Sequence, residues 1–175
     1  MDERKWIERI LAGDTQSFSC LVAKYEKMAY TIALRILENR EEAEEAVQDA
    51  FVKMYRALSD FHFDSKFSTW FYRIVYRTAL TALRQQRMFV SYEEAGPVDL
   101  SNDEVESATA LLEREDRKEM IARTLKKLPA DEALLLTLYY LEECSVEEIC
   151  QITELSASNV KVKLFRGRKR FYEVL

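Results

Sequence analysis

The apolar positions of this chain fall every three to four residues over most of its length, the spacing of helices that bury one face. Trp6 with Ile10, and Ile7 with Leu11, predict a short amphipathic helix over residues 4–12. Gly13 ends it, and Asp14 or Thr15 can cap the next helix. Phe18, Leu21, Val22, Tyr25, Met28, Ala29, Ile32 and Ile36 carry that second helix to a break at Asn39. A third helix starts near Glu41, with Ala43, Ala46, Val47, Ala50, Phe51, Met54 and Leu58 inward. Its outer face is acidic, from Glu41, Glu42, Glu44 and Glu45 to Asp49, which by charge pattern alone is an ordinary solvated face. A fourth, over residues 68–87, turns Phe71, Ile74, Val75, Thr78 and Ala82 toward a core. On its opposite side Arg73, Arg77, Arg84 and Arg87 fall within about 80° of arc.

Between residues 90 and 102 the rhythm fails, and Gly96, Pro97 and the acids Glu93, Glu94 and Asp99 mark a linker. Helical spacing returns over residues 103–127, with Leu111, Leu112, Met120, Ile121, Leu125 and Leu128 as the inner positions. Pro129 stops that helix and opens another over residues 130–141. Ser145 followed by Glu148 has the form of a capping box, and Val146, Ile149 and Ile152 give its helix an inner face. Residues 153–155 form a turn, and Ser156 caps the last helix. There Val160, Leu164, Gly167 and Phe171 point inward, while Ser158, Asn159, Val162, Lys163, Arg166, Lys169 and Arg170 point outward. That partition suits the recognition helix of a helix–turn–helix: amide, hydroxyl and valine for base edges, then cations for phosphates. The plainer alternative is a basic helix that binds an acidic protein.

Three glycines and two prolines in 175 residues leave little turn chemistry for hairpins, so the expected fold is all-α. We expect two small helical domains joined by a flexible acidic linker: residues 1–90, a linker 91–110, and a helix–turn–helix domain 111–175. The charged start lacks a signal-peptide core and no run reaches the ~18 apolar residues of a membrane span, which predicts a cytoplasmic protein without membrane insertion. Cys20, Cys144, Cys150 and the single His62 supply no metal-ligand spacing and no nucleophile–base set. No catalytic residue, metal or cofactor is expected. The net charge of −5 argues at first against nucleic acid, but its distribution does not. Residues 65–90 carry Lys66 and four arginines without one acid, and residues 161–170 are likewise free of acids. Beside the first basic stretch lies a loop with Phe61, Phe63 and Phe67, either a small core that clamps the loop or platforms for unstacked bases.

These segments together resemble a sigma-70-family initiation factor of the two-domain extracytoplasmic-function (ECF) type, over nearly the whole chain. Glu42–Phe51, EAEEAVQDAF, is similar to the family segment that docks on RNA polymerase core. Phe67–Ile74, FSTWFYRI, continuing to Leu83-Arg84, is similar to the segment that opens and reads the −10 element. Leu128-Pro129 and the helix–turn–helix resemble the domain that reads the −35 element. The resemblance implies a polymerase contact through Glu45, Gln48, Asp49 and Phe51. It implies −10 recognition and melting through Phe61, Phe63, Asp64, Lys66, Trp70, Arg73, Arg77 and Arg84, with Phe63, Asp64 and Lys66 the candidates for reading a flipped base. It implies −35 reading through Ser156, Ser158, Asn159, Val162, Lys163, Arg166, Lys169 and Arg170. The partners expected are RNA polymerase core, promoter DNA and, by family analogy, an anti-sigma factor. A helix–turn–helix regulator that binds duplex without polymerase is the rival reading, and a helical protein-interaction module that binds no DNA is another. The chain departs from the family pattern at Cys150, at Asn159 and at Glu154, where the turn favours glycine.

Overall fold

The computed structural model describes residues 2–90 and 112–175, and every regular element among them is helical. Four helices form the first half: α1 (Glu3–Leu11), α2 (Thr15–Leu37), α3 (Arg40–Ala57) and α4 (Phe67–Val90), with a 3₁₀ turn at Leu58–Asp60. Side chains start three of them. Asp2 accepts from the Arg4 amide, Asp14 accepts from the Gln16 amide and the Ser17 hydroxyl, and Asn39 accepts from the Glu42 amide. Asn39 therefore opens α3 as well as breaking the helix before it. Glu38 ends α2 in the left-handed region at φ 54°, a place where glycine is the easier residue.

The core of this half is where α2, α3 and α4 meet. Leu21, Ala29, Ile32 and Ala33 of α2, Ala43, Ala50 and Met54 of α3, and Phe71, Val75 and Ala79 of α4 are fully enclosed. Alanines at the crossings let the helix axes approach while the large side chains fill the gaps between them. Helix α1 closes one end with Ile7 and Ile10, and Leu11, expected inward, is 55% exposed.

The second half holds α5 (Leu112–Lys126), α6 (Ala130–Leu136), α7 (Val146–Thr153) and α8 (Ala157–Val174). The linker lies outside the described residues, as does the segment before Leu112 of the helix expected to start near residue 103. Helix α5 buries Leu125 and half-buries Ile121, and Leu128 just past its end is buried too, but Met120 is 45% exposed and faces out, contrary to its helical position in the sequence. The apolar run after Pro129 is α-helical only to Leu136 and widens into a π turn over Thr137–Leu141, where the Glu142 amide bonds the Thr137 carbonyl. The two halves touch along α4 and α7 and between α2 and α6.

Helices α6 and α8 cross closely at Gly167. A Cβ at that position would stand 3.2 Å from Leu136 Cδ1 and 3.4 Å from Glu132 Cβ. Gly167→Leu must therefore push the helices apart, and we expect a loss of about 1–3 kcal/mol. Urea unfolding measures it; an unchanged midpoint would mean that the crossing is loose.

Candidate nucleic-acid and polymerase interfaces

The helix–turn–helix is assembled from caps. The Glu148 amide donates to Ser145 Oγ at 3.1 Å and the Ser145 amide donates to Glu148 Oε2 at 2.8 Å, a complete capping box. Ile149 and Ile152 pin α7 to the core. Glu154 ends α7 with φ 62°, its amide bonded to the Cys150 carbonyl at 2.8 Å, so the turn is left-handed at a residue that has a Cβ. Ser156 then accepts from the Asn159 amide at 3.3 Å and starts α8. Val160, Leu164 and Gly167 are buried as their spacing predicts, and Phe171 is half-buried.

Of the expected −35 residues, Ser156, Ser158, Asn159, Val162, Arg166 and Lys169 are exposed on or beside the start of α8 and its outer face. Lys163 and Arg170 differ. Lys163 is ion-paired with Asp131, and Arg170 with Glu132 at 3.2 Å, so both tie α8 to α6. The Lys163 ammonium and the Asp131 amide neighbourhood hold Asp131 below the usual carboxylate range against the opposing effect of its partial burial.

In the first half, the loop between α3 and α4 is a small aromatic core. Phe61 sits 4.7 Å from Phe63, 5.0 Å from Trp70 and 5.5 Å from Phe67, ring centre to ring centre. Phe61 is 7% exposed and Phe67 is buried too, so Phe61 holds the loop together and offers no open face to a base. That corrects its expected role as an exposed platform. Phe63 is 41% exposed, at φ 62°, with the Arg4 guanidinium 4.9 Å from its ring centre. Asp64 and Lys66 are exposed and Trp70 is half-buried against Phe61 and Phe67.

Along α4, Arg73, Arg77, Arg84 and Arg87 all lie on the outside. Arg73 and Arg77 do not stand free, because both donate to Glu154 Oε1, Arg73 at 3.1 Å. Arg77 and then Arg73 hold the Glu154 carboxyl below the ordinary glutamate range. Lys66 Nζ lies 2.8 Å from Glu148 Oε1, and the Tyr72 hydroxyl donates to Glu142 Oε2 at 2.8 Å. Burial first, and then the nearby Glu148 and Glu142, push the Cys144 thiol up to about 11, so it stays protonated.

On α3, Glu45, Gln48 and Asp49 are exposed on one side, with Asp49 4.0 Å from Lys53. Phe51 is not part of that surface. It is 8% exposed and packs on Phe71 at 4.8 Å, so it belongs to the core. The apolar members of the exposed side are Val52 and Tyr55, each 47% exposed, which the inward-facing pattern of α3 did not single out. Sequence reasoning also missed the apolar side chains on the surface of the second half, among them Tyr140, Leu141, Phe165 and Tyr172. No group of His, Cys, Asp and Glu among the described residues could hold a metal ion, and no described helix is long and apolar enough to cross a membrane.

A capped helix–turn–helix joined to a four-helix unit with a basic helix and an aromatic loop defines a DNA-reading protein of two parts. The Sigma-70 region 2 family matches residues 21–88 and the Sigma-70 region 4 family matches residues 118–171. The RNA polymerase sigma-H factor of Pseudomonas aeruginosa is 31% identical over 180 residues, which cover 99% of this chain and 93% of that protein. The ECF RNA polymerase sigma-E factor of Escherichia coli K12 is 31% identical over 170 residues, covering 93% and 88%. Among solved structures, the sigma factor RpoE in complex with the anti-sigma factor NepR from Bartonella quintana superposes with a TM-score of 0.73 at 18% identity, covering 91% of this chain and 96% of that one. CnrH, in complex with the cytosolic domain of CnrY, superposes with a TM-score of 0.64 at 20% identity, covering 98% and 96%. This chain belongs to the sigma-70 family, in its ECF branch. It is a transcription initiation factor that directs RNA polymerase to promoters, rather than a helix–turn–helix regulator acting on DNA alone.

The aromatic loop gives a direct test of its own packing. Phe61→Ala should cost about 3–5 kcal/mol and Phe63→Ala less than about 1 kcal/mol in urea unfolding, because only the first ring is enclosed. Equal losses would contradict this division of the loop into a structural ring and a surface ring.

Proposed function

We propose that promoter reading is divided between the two halves, with residues 1–90 acting on polymerase and the −10 element and residues 111–175 reading the −35 duplex across a linker at 91–110. The observation that carries this reading is the exposed row on α8, Ser158, Asn159, Val162 and Arg166, behind a fully capped turn. Asn159 and Val162 meet base edges near the N-terminal end of the recognition helix, and Arg166 and Lys169 meet phosphates further along. In the first half, Arg73, Arg77 and Arg84 track the backbone while Phe63, Asp64, Lys66 and Trp70 receive an unpaired base of the opened strand. Glu45, Gln48 and Asp49 dock on polymerase core. The chain works by binding and has no catalytic step, in the compartment where polymerase and DNA meet, the cytoplasm. A partner of the anti-sigma class is part of the reading, as the fold neighbour RpoE was solved with one.

Transcription from a genomic library with purified core polymerase, with and without this chain, tests the division. New start sites should appear only with the chain. Arg166→Ala should weaken duplex binding across sequences and reduce the salt slope by about 1, whereas Asn159→Ala should change which −35 sequence is preferred. An Asn159→Ala variant with intact preference would refute this orientation of α8. Asp49→Lys should lower affinity for core polymerase without altering duplex binding, and unchanged core affinity would remove Asp49 from the contact.

A further inference from the structure

Three of the cations offered to the −10 strand, Lys66, Arg73 and Arg77, are already paired. Arg73 and Arg77 share one oxygen of Glu154, and Lys66 is paired with Glu148. Both carboxylates belong to the helix–turn–helix unit, one in its capping box and one at its turn. A carboxylate that accepts from two guanidiniums stands where a phosphate oxygen would stand, since both anions suit the same planar donors. We propose that this chain masks its own −10-reading surface, with Glu154 as an internal substitute for the DNA backbone, and that the α4–α7 joint must open before that strand can bind.

Three observations support the joint as a closing device. Tyr72 is 3% exposed, and its hydroxyl reaches across to Glu142, so the contact has an enclosed centre as well as a charged rim. Cys144, 8% exposed, lies in the same neighbourhood, with Tyr72, Lys66 and Glu142 close enough to couple to it electrostatically. Glu154 holds a left-handed backbone without being a glycine, and its two arginine partners explain what a side chain gains there. The closure is lopsided. Ser158, Asn159 and Arg166 are exposed with no part in the joint, while the charged ends of Arg73, Arg77 and Lys66 are engaged by its carboxylates. A closed molecule can therefore still present its recognition helix to duplex DNA, and what it withholds is the N-terminal end of the basic stripe, Arg73 and Arg77, with Lys66 beside it.

The masking rests on the reading of that stripe as a DNA contact; the closure does not, so two readouts on the full chain separate them. The first is small-angle scattering. Glu154→Arg sets three cations together and should expand the molecule, and the charge-swapped combination E154R/R73E/R77E should return it to the wild-type radius. The second is affinity for a single-stranded oligonucleotide, with E154Q as the conservative variant. Freed from Glu154, Arg73 and Arg77 should raise that affinity several-fold at moderate salt, and high salt should shrink the difference because exposed pairs are screened. Scattering from E154R that matches wild type, or a swapped variant that stays expanded, would overturn the closure. Expansion with no gain in strand affinity for E154Q would overturn the masking and count against the stripe as a DNA surface.

Discussion

Helix α4 has to satisfy three neighbours at once, and the arrangement of its side chains around the helix decides how the rest of the molecule sits. Phe71, Val75 and Ala79 are turned wholly inward, against Phe51, Tyr25 and the small residues of α2 and α3. One position on, Tyr72 is enclosed as well, but on the side where α7 lies, and its hydroxyl is met by Glu142. A buried phenol without a partner would cost the desolvation of its hydroxyl. The helix–turn–helix unit therefore supplies the polar group that makes this second buried face tolerable. Two adjacent residues thus bind α4 to its own bundle and to the other half of the chain.

The same helix shows why some of the design was legible in the sequence and some was not. Local rules travel well: Ser145 and Glu148 read as a capping box, Val160, Leu164 and Gly167 read as an inner face, and both are so in the structure. The aromatic residues were harder. A ring at a loop or helix position carries the same periodicity whether it closes a core or waits for a base, and only three-dimensional neighbours distinguish Phe61 from Phe63, or Phe51 from Tyr55. Met120 fell on the inner face by spacing but found no opposing element there. Least legible were the pairs between halves. Arg73 and Glu154 are 81 positions apart, and no local pattern links a basic stripe to one turn residue. The departure at Glu154 was visible, yet in the sequence it looked only like a residue at an awkward place.

Chain ends of helices follow a related logic. Glu38, Glu143 and Glu154 all adopt positive φ, although glycine relieves such positions more easily. A chain with only three glycines has few to spare, and Gly13 and Gly167 serve a left-handed turn and a close helix crossing. At Glu154 the side chain that replaces glycine is engaged by both arginines. That use turns a backbone compromise into a contact between the halves.

The cations of this protein divide by what would have to move to release them. Lys163 and Arg170 are paired with Asp131 and Glu132 on the neighbouring helix of the same unit, where Gly167 lets α6 and α8 lie close. Freeing them for phosphates means exchanging partners within a packed body, and Glu132, with 7% of its side chain exposed, would be left as a buried charge without its arginine. Arg73, Arg77 and Lys66 are paired across two bodies, and the three cations and Glu154 keep about half or more of their side chains in water, while Glu148 is more enclosed. Individually such pairs are weak and easily screened. They can part together by a movement of one unit against the other, with no change in either core. The two internal pairs are held by the packing of α6 on α8, whereas the pairs between units depend only on how the units lie against each other. The distribution of charge over the fold thus separates pairs held inside one packed unit from pairs that link the two units.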